Sequence, residues 1–429
     1  MRARVEIINT GSELLLGRVL NTHQLWLCRQ LTDAGFTVTR QVTVPDTGPE
    51  IAAAVRESLG RAEVVITTGG LGPTSDDLTR EEVAKLLGRA LREDAGVLQH
   101  IAGYFERRKR VQPASTKVQA LVPEEATVLM NQFGTAPGLW MEVPAGQFRA
   151  AGGSVLVMLP GPPRELHPMF REQVLPRLRQ HFTGREDYAV VTLRSSGLGE
   201  SRVEEIISPP LQELLQQGLE LGFCARPAEV DVRLSARGPL AAALVRQARQ
   251  VVERLIGPYI YGEGEERLEE VVARRLLEKK TRLVLAESCT GGFLAHRLTN
   301  VPGISQALWG GVVAYANEAK SLWLDVPPAL LAEHGAVSAP VAEAMARGAL
   351  QRANAEVAIA ITGIAGPGGG TPEKPVGTVF IALAWREGIH VQPHLNAMDR
   401  ETFKYVTTQQ ALDLLRRWLN GLPLEQGRP

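Results

Sequence analysis

The chain has 429 residues, with 47 basic and 47 acidic side chains and 44% hydrophobic residues. At roughly 100–200 residues per domain, that length calls for more than one core, and three domains are expected. A formal net charge of zero excludes a general electrostatic pull toward nucleic acid or an anionic membrane, although a specific anionic ligand stays open.

The start, Met1-Arg2-Ala3-Arg4-Val5-Glu6, runs into a strand pattern without a signal-peptide core, and no apolar run reaches the ~18–20 residues of a membrane span. A cytoplasmic protein without a membrane partner is therefore expected. Residues 5–9 read as a strand, 21–34 as a helix with Gly35 as C-cap, 37–44 as a strand, 49–59 as a helix and 64–68 as a buried strand. Such a β-α-β-α-β start implies a mostly parallel sheet covered by helices, with ligands beyond the C-terminal strand ends. Those ends carry Thr10-Gly11-Ser12-Glu13, Pro45-Asp46-Thr47 and Thr68-Gly69-Gly70-Leu71-Gly72-Pro73-Thr74-Ser75-Asp76-Asp77, so three loops should converge on one crevice.

The third loop lacks both the Gly-Lys-Ser/Thr ending of a Walker A sequence and the third glycine of a dinucleotide fingerprint. Gly69, Gly70 and Gly72 with the paired Asp76 and Asp77 instead suit a phosphate ester held with Mg²⁺ or a similar hard cation, and Glu13 and Asp46 should face the same crevice. Asp76 or Asp77 is also placed to cap the helix that begins near Thr79, and one of them is expected to do so. Further on, residues 155–159 read as a strand, and Pro163 and Glu165 suit the first turn of the following helix.

From about 173 to 260 the glycine-rich loops stop. Strand patterns at 190–194 and 230–236 and helical ones at 201–217 and 240–255 suggest a small α+β unit, closed by a turn-rich stretch at 257–266. The last part begins with a helix at 268–280 and a strand at 282–286, followed by helical character over 290–299. Ser288 thus falls where a buried strand turns into a helix. It can serve as an N-cap, or as a nucleophile beside helix-start amides that hold an anion or a developing oxyanion. Strands follow at 308–313, 357–361 and 376–384. Ser338-Ala339-Pro340 should cap a helix through 351, and Asp399 should cap a last amphipathic helix over 400–419. Cys28, Cys224 and Cys289 show no CxxC spacing, which argues against a disulfide scaffold and a zinc site. Of the 47 basic residues only eight are lysines; lysine can lose its proton near neutral pH and arginine cannot.

The segments Glu287-Ser288-Cys289-Thr290-Gly291-Gly292, Tyr315-Ala316-Asn317-Glu318-Ala319-Lys320, Thr362-Gly363-Ile364-Ala365-Gly366-Pro367 and Lys374-Pro375-Val376-Gly377-Thr378, together with Gly11-Ser12-Glu13-Leu14-Leu15 and residues 69–77, resemble those of the competence/damage-inducible CinA family. The likeness covers essentially the whole chain, with Met398-Asp399-Arg400 standing where relatives usually have Gly-Asp-Arg. It implies an α/β protein of three domains: a molybdopterin-binding-like ADP-ribose pyrophosphatase domain (1–172), a small KH-like α+β domain (173–260) and an amidohydrolase domain (266–429). The last would convert nicotinamide mononucleotide to nicotinic acid mononucleotide and ammonia without a cofactor. The first would cleave ADP-ribose to AMP and ribose 5-phosphate with a divalent cation (Mg, Mn or Co) held by Asp46, Asp76, Asp77 and Glu13.

Amide hydrolysis needs a nucleophile and a base. No GxSxG elbow is present and no histidine near these motifs is an obvious partner, so Ser288 with Lys320 is the expected pair, the lysine acting as base if partly desolvated. Otherwise Lys320 is a solvated helix residue. Tyr315 would relay a proton or orient the lysine, or simply end a strand. Cys289 is intrinsically the stronger nucleophile, but neighbouring side chains diverge on such a turn and the resemblance points to Ser288. Thr290, Gly291, Thr362, Gly363 and Arg400 are the expected substrate contacts, with Arg400 offering its fork to phosphate. A homodimer is expected, with the middle domain as its dimerisation or spacing module. Two alternatives remain: a molybdopterin-type ligand-binding protein, and a competence-related nucleic-acid factor. The zero net charge and the absence of a Gly-x-x-Gly clamp argue against the second, since Ala236-Arg237-Gly238-Pro239 has one glycine only.

Overall fold

The computed structural model describes residues 3–150, 152–182 and 187–425. The chain divides into two compact units, Met1–Tyr188 and Ala189–Pro429. In the first unit, apolar runs become strands β1 (Arg4–Thr10), β2 (Thr37–Val44), β3 (Val64–Thr68), β4 (Leu91–Glu93), β5 (Leu121–Pro123), β6 (Thr127–Leu129), β7 (Gly138–Val143) and β8 (Ser154–Leu159). Six of them form one sheet in the order β2-β1-β3-β8-β7-β6. The first four are mutually parallel, while β7 runs antiparallel to β8 and β6 antiparallel to β7. All five residues of β3 are buried, as a central parallel strand with helices on both faces requires. One face packs Ile8, Val65 and Met158 against helices Gly48–Leu59 and Thr79–Leu87; the other packs Ile7, Ile66 and Val157 against Thr22–Asp33.

Two expectations need correcting here. The helix Thr79–Leu87 is capped by neither Asp76 nor Asp77: its N-cap is Leu78, without a side-chain bond. Asp77 turns back to accept from the backbone N and the hydroxyl of Thr74, at 2.9 and 2.5 Å. The first unit also runs past the composition change at 172–173, because Val174 and Leu178 remain fully buried in its core.

The second unit holds two sheets. β9 (Tyr188–Ser196), β10 (Leu219–Arg226), β11 (Glu229–Arg237) and β12 (Ile260–Glu263) assemble in the order β10-β11-β9-β12. The expected 201–217 helix is broken at Pro209-Pro210, since proline removes the backbone donor that a continuing helix needs. Part of the turn-rich stretch at 257–266 adds β12 to this sheet, antiparallel to β9. β13 (Leu283–Glu287), β14 (Leu308–Val313), β15 (Val357–Gly363), β16 (Thr378–Trp385) and β17 (Gly388–Leu395) form the last sheet, ordered β14-β13-β15-β16-β17. β14, β13 and β15 are parallel, so their C-terminal ends lie side by side. Ser338 precedes the helix Ala339–Ala353 but makes no side-chain cap, its hydroxyl donating to Gly335 O instead. Asp399 caps the helix Arg400–Leu419, accepting from Glu401 N and Thr402 N at 3.0 Å each. No helix among the described residues is long and apolar enough to cross a membrane.

The two parts of this unit are joined by buried polar contacts. Glu229 at the start of β11 accepts from Gln409 Nε2 at 2.9 Å, from Tyr405 OH at 3.3 Å and from Tyr261 OH. Asp413 lies 1% exposed between Arg416 and Arg417, with contacts of 2.7 and 2.8 Å, and Arg416 reaches on to Pro258 O and Ile260 O. Removing one member of such a cluster strands the other charges in a low-dielectric interior. Asp413→Ala should therefore cost about 3–5 kcal/mol, measured as a lower urea midpoint followed by tryptophan fluorescence.

Candidate active site

Three chain segments leave the adjacent ends of β13, β14 and β15, and their backbones are pinned together. Ser288 N donates to Ile361 O at 3.0 Å and Ala314 N to Glu287 O at 2.8 Å. The helix Asn317–Leu324 then carries Lys320 back over the end of β13. Lys320 Nζ stands 3.1 Å from Ser288 Oγ, 2.9 Å from Ala314 O and 3.1 Å from Tyr315 O. A neutral amine has two N–H donors and one lone pair. The two carbonyls can take the donors, which leaves the lone pair facing the serine hydroxyl. Lys320 is 1% exposed and Ser288 is buried beside it. Burial lowers the lysine pKa, opposed only by the neighbouring Cys289. Lys320 is thus no solvated helix residue.

Cys289 is buried. Its thiol packs into the apolar core with Leu294, Ile361 and Phe403, and burial pushes its pKa up to about 12. A thiol held protonated is a poor nucleophile.

Glu287 was the residue least legible in advance. Its buried carboxylate accepts four hydrogen bonds: from Thr290 Oγ1 at 2.7 Å, Gly292 N at 3.1 Å, Leu294 N at 3.0 Å and Ala295 N at 2.8 Å. These amides open the helix Phe293–Thr299, so they are not available for an oxyanion, contrary to the expectation from sequence.

The expected substrate contacts divide into two groups. Thr290 spends its hydroxyl on Glu287, and Thr362 donates to Ala336 O at 2.7 Å; both are buried and tie the fold together. Gly363 is needed for packing, because a Cβ there would lie 2.8 Å from Thr378 O. Gly291 is exposed at φ 62° and leaves the approach to the turn open. Arg400 donates to Gly366 O and to Tyr315 OH, at 2.8 Å each, and both side chains are exposed. The tyrosine hydroxyl therefore meets Arg400, while its backbone carbonyl meets Lys320.

In the first unit the loops after β1, β2 and β3 meet. Asp46 Oδ2 accepts from Ser12 N at 2.7 Å and Ser12 Oγ accepts from Asp46 N at 3.2 Å, tying the loops after β1 and β2. Gly69, at φ 95°, fits so closely against Thr10 that a Cβ would stand 2.7 Å from its hydroxyl, and Gly161 after β8 packs against Gly69. Gly70 and Gly72 abut Thr79 and Asp77 in the same way. Glu13 folds back over Gly11, and Asp76 is exposed. Among the described residues no three His, Cys, Asp or Glu side chains stand close enough to hold a metal ion. Asp46, Asp76, Asp77 and Glu13 therefore do not make a ligand set by themselves, since a hard cation wants several converging oxygens.

Fold and site together define a three-domain α/β protein with a buried serine–lysine pair in its last domain. Family models match along the chain: a probable molybdopterin binding domain over residues 6–180, a damage-inducible protein CinA KH domain over 191–262 and a CinA C-terminal domain over 265–419. A CinA-like protein of Akkermansia muciniphila is 44% identical over 412 residues, covering 95% of this chain and 96% of its own. A putative competence-damage inducible protein of Caldicellulosiruptor bescii is 42% identical over 415 residues, covering 96% and 98%. A crystal structure of a competence-damaged protein (CinA) superfamily protein from Klebsiella pneumoniae shares 38% identity over 36% of this chain and 96% of its own, with a TM-score of 0.35. The chain belongs to the CinA family.

The placement of the two sulfurs gives a direct test. Iodoacetamide at pH 7.5 should alkylate the exposed Cys224 and spare Cys289, because only thiolate reacts. Peptide mass spectrometry of the folded protein reads this out, and rapid labelling of Cys289 would contradict the buried placement.

Proposed function

We propose that the C-terminal domain is a serine–lysine amidohydrolase acting on nicotinamide mononucleotide. The observation that carries this reading is the desolvated Lys320 amine 3.1 Å from Ser288 Oγ. In the proposed reaction Ser288 Oγ attacks the carboxamide carbon while Lys320 takes the hydroxyl proton. As the C–N bond breaks, Lys320 returns that proton to the leaving nitrogen, and ammonia departs. Water, deprotonated by the same amine, then cleaves the acyl-serine ester and releases the carboxylate product. Arg400, braced by Gly366 O and Tyr315 OH, would hold the phosphate of the nucleotide.

The same reading assigns the first unit to ADP-ribose cleavage, giving AMP and ribose 5-phosphate. Support comes from the glycine turn at Gly69, Gly70 and Gly72 and from the loops that meet there. The four carboxylates form no ready ligand set for a cation among the described residues. A cytoplasmic homodimer that processes pyridine nucleotides completes the proposal, with the balanced charge giving no reason to invoke nucleic acid.

Product analysis with purified protein tests both assignments. Ser288→Ala should lower the kcat for deamidation by roughly 10³-fold or more while KM changes little, since the attacking oxygen acts only in the transition state. Lys320→Arg should be nearly as damaging as Lys320→Met, because a guanidinium keeps the charge but cannot accept a proton. Near-normal turnover in Lys320→Arg would sink the serine–lysine mechanism.

The pH profile carries a sign. The base form of Lys320 is the active one and burial lowers its pKa, so kcat/KM should rise with pH and level off below the ordinary lysine value of about 10.4. Cleavage of ADP-ribose should persist in both Ser288→Ala and Lys320→Met; its loss in either would argue against two separate sites.

A further inference from the structure

The helix Thr79–Leu87 starts behind the glycine turn of the first unit, and its first two residues brace that turn. Thr79 N donates to Gly70 O at 3.1 Å, and Arg80 Nη1 reaches Leu71 O at 3.4 Å. Arg80 is 2% exposed and heads the fully buried side chains by volume. Its Nε has no hydrogen-bond partner, nor has the buried hydroxyl of Thr79 beside Gly70. No carboxylate oxygen lies within 4.0 Å of its guanidinium among the described residues. Burial pushes its pKa down, while the charges of Glu81 and Asp77 pull it up; an arginine nonetheless stays protonated. A buried cation without a counter-ion is an expensive arrangement for an empty protein.

The front of the turn supplies the matching half. Gly69 and Gly70 take φ 95° and 67°, and the N–H groups of Gly70, Leu71 and Gly72 meet no acceptor among the described residues. Successive free amides on such a turn make an anion-binding concavity. The turn therefore carries amide hydrogens without acceptors and, braced against it, a buried guanidinium without an ion pair.

We propose that Arg80 is a positioning residue that supplies the standing positive charge for a phosphoryl-bearing ligand on the Gly70–Gly72 turn, acting through the backbone it braces. The inference rests on the reading of this crevice as a phosphate-ester site. In a water-poor interior one uncompensated charge stabilises a nearby anion well beyond what it does in solvent. The ligand anion then adds a counter-charge to the distant ones of Glu81 and Asp77, which make no ion pair with Arg80.

The test uses the full chain and two probes, sodium pyrophosphate and ADP-ribose, with binding read by calorimetry and stability by thermal melting. Arg80→Met should weaken binding of both probes by roughly 10- to 100-fold. The ligand-free variant should melt no lower than wild type, because the unpaired buried charge is gone. Arg80→Lys, which restores the charge with fewer donors, should recover part of the affinity. Unchanged binding by Arg80→Met would overturn the role of Arg80 while leaving the crevice reading intact. A lower melting temperature in Arg80→Met, with no recovery of affinity in Arg80→Lys, would reduce Arg80 to a structural brace. Failure of the wild type to bind either probe would overturn the crevice reading and this inference together.

Discussion

The last domain depends on one carboxylate. Glu287 ends β13 and gathers four donors from the eight residues that follow it. Each donor would otherwise be an unpaired polar group in a buried turn, costing about 1–3 kcal/mol. Gathering them fixes the path of the chain between strand and helix, and with it the direction in which Ser288 and Cys289 point. It also places an anion on the positive end of the helix Phe293–Thr299, a favourable interaction that leaves no free amide there for a ligand. Ser288 is therefore set by a structural acid whose four partners all lie in the turn and the helix that follow it. The lysine amine completes the arrangement from the helix that follows the neighbouring strand, held by two carbonyls that accept from it and offer no charge.

A second constraint runs from the middle domain into the last helix. Arg297 on the helix after Ser288 reaches Glu269 at 2.7 Å, Gln409 at 2.6 Å and Thr408 at 3.0 Å. Glu229 from the middle-domain sheet meets the same Gln409, and Arg194 stands 3.6 Å from Glu229. The long helix that begins at Arg400 is thus fastened along its length by side chains of both domains. Buried ionic contacts of this kind contribute little net stability, but they tolerate few alternative alignments. This accounts for Ala189–Pro429 forming one compact unit although two sheets lie within it.

Much of this was legible in the residues. The strands Thr37–Val44, Val64–Thr68 and Leu308–Val313 and the helix Arg400–Leu419 lie at the bounds expected from their apolar patterns, although that helix, expected to be amphipathic, is buried over most of its length. The strand Leu219–Arg226 was not foreseen, because Gly222 and the exposed Cys224 interrupt its pattern and its order comes from pairing with β11. The middle domain's fourth strand hid in a turn-rich stretch for a similar reason: pairing with β9, not composition, makes it a strand. Ser288 and Lys320 stood out by residue type, yet their contact exists because β13 and β14 are neighbours, which no local pattern states. Glu287 works through backbone amides, and Arg80 lies in the segment Thr79-Arg80-Glu81-Glu82, which reads as an ordinary solvated first turn. Both roles emerge only when burial is known.

The choice of oxygen over sulfur at the turn after β13 has a consequence for chemical durability. A serine hydroxyl cannot climb the oxidation series that takes a reactive thiolate through sulfenic to sulfinic acid, and the adjacent thiol is shielded by the apolar core and kept protonated. Peroxide that silences thiolate enzymes should find little to attack here. A serine–lysine centre of the kind proposed would be insensitive to the redox balance of its surroundings, with the Cys289 sulfur beside it serving as packing.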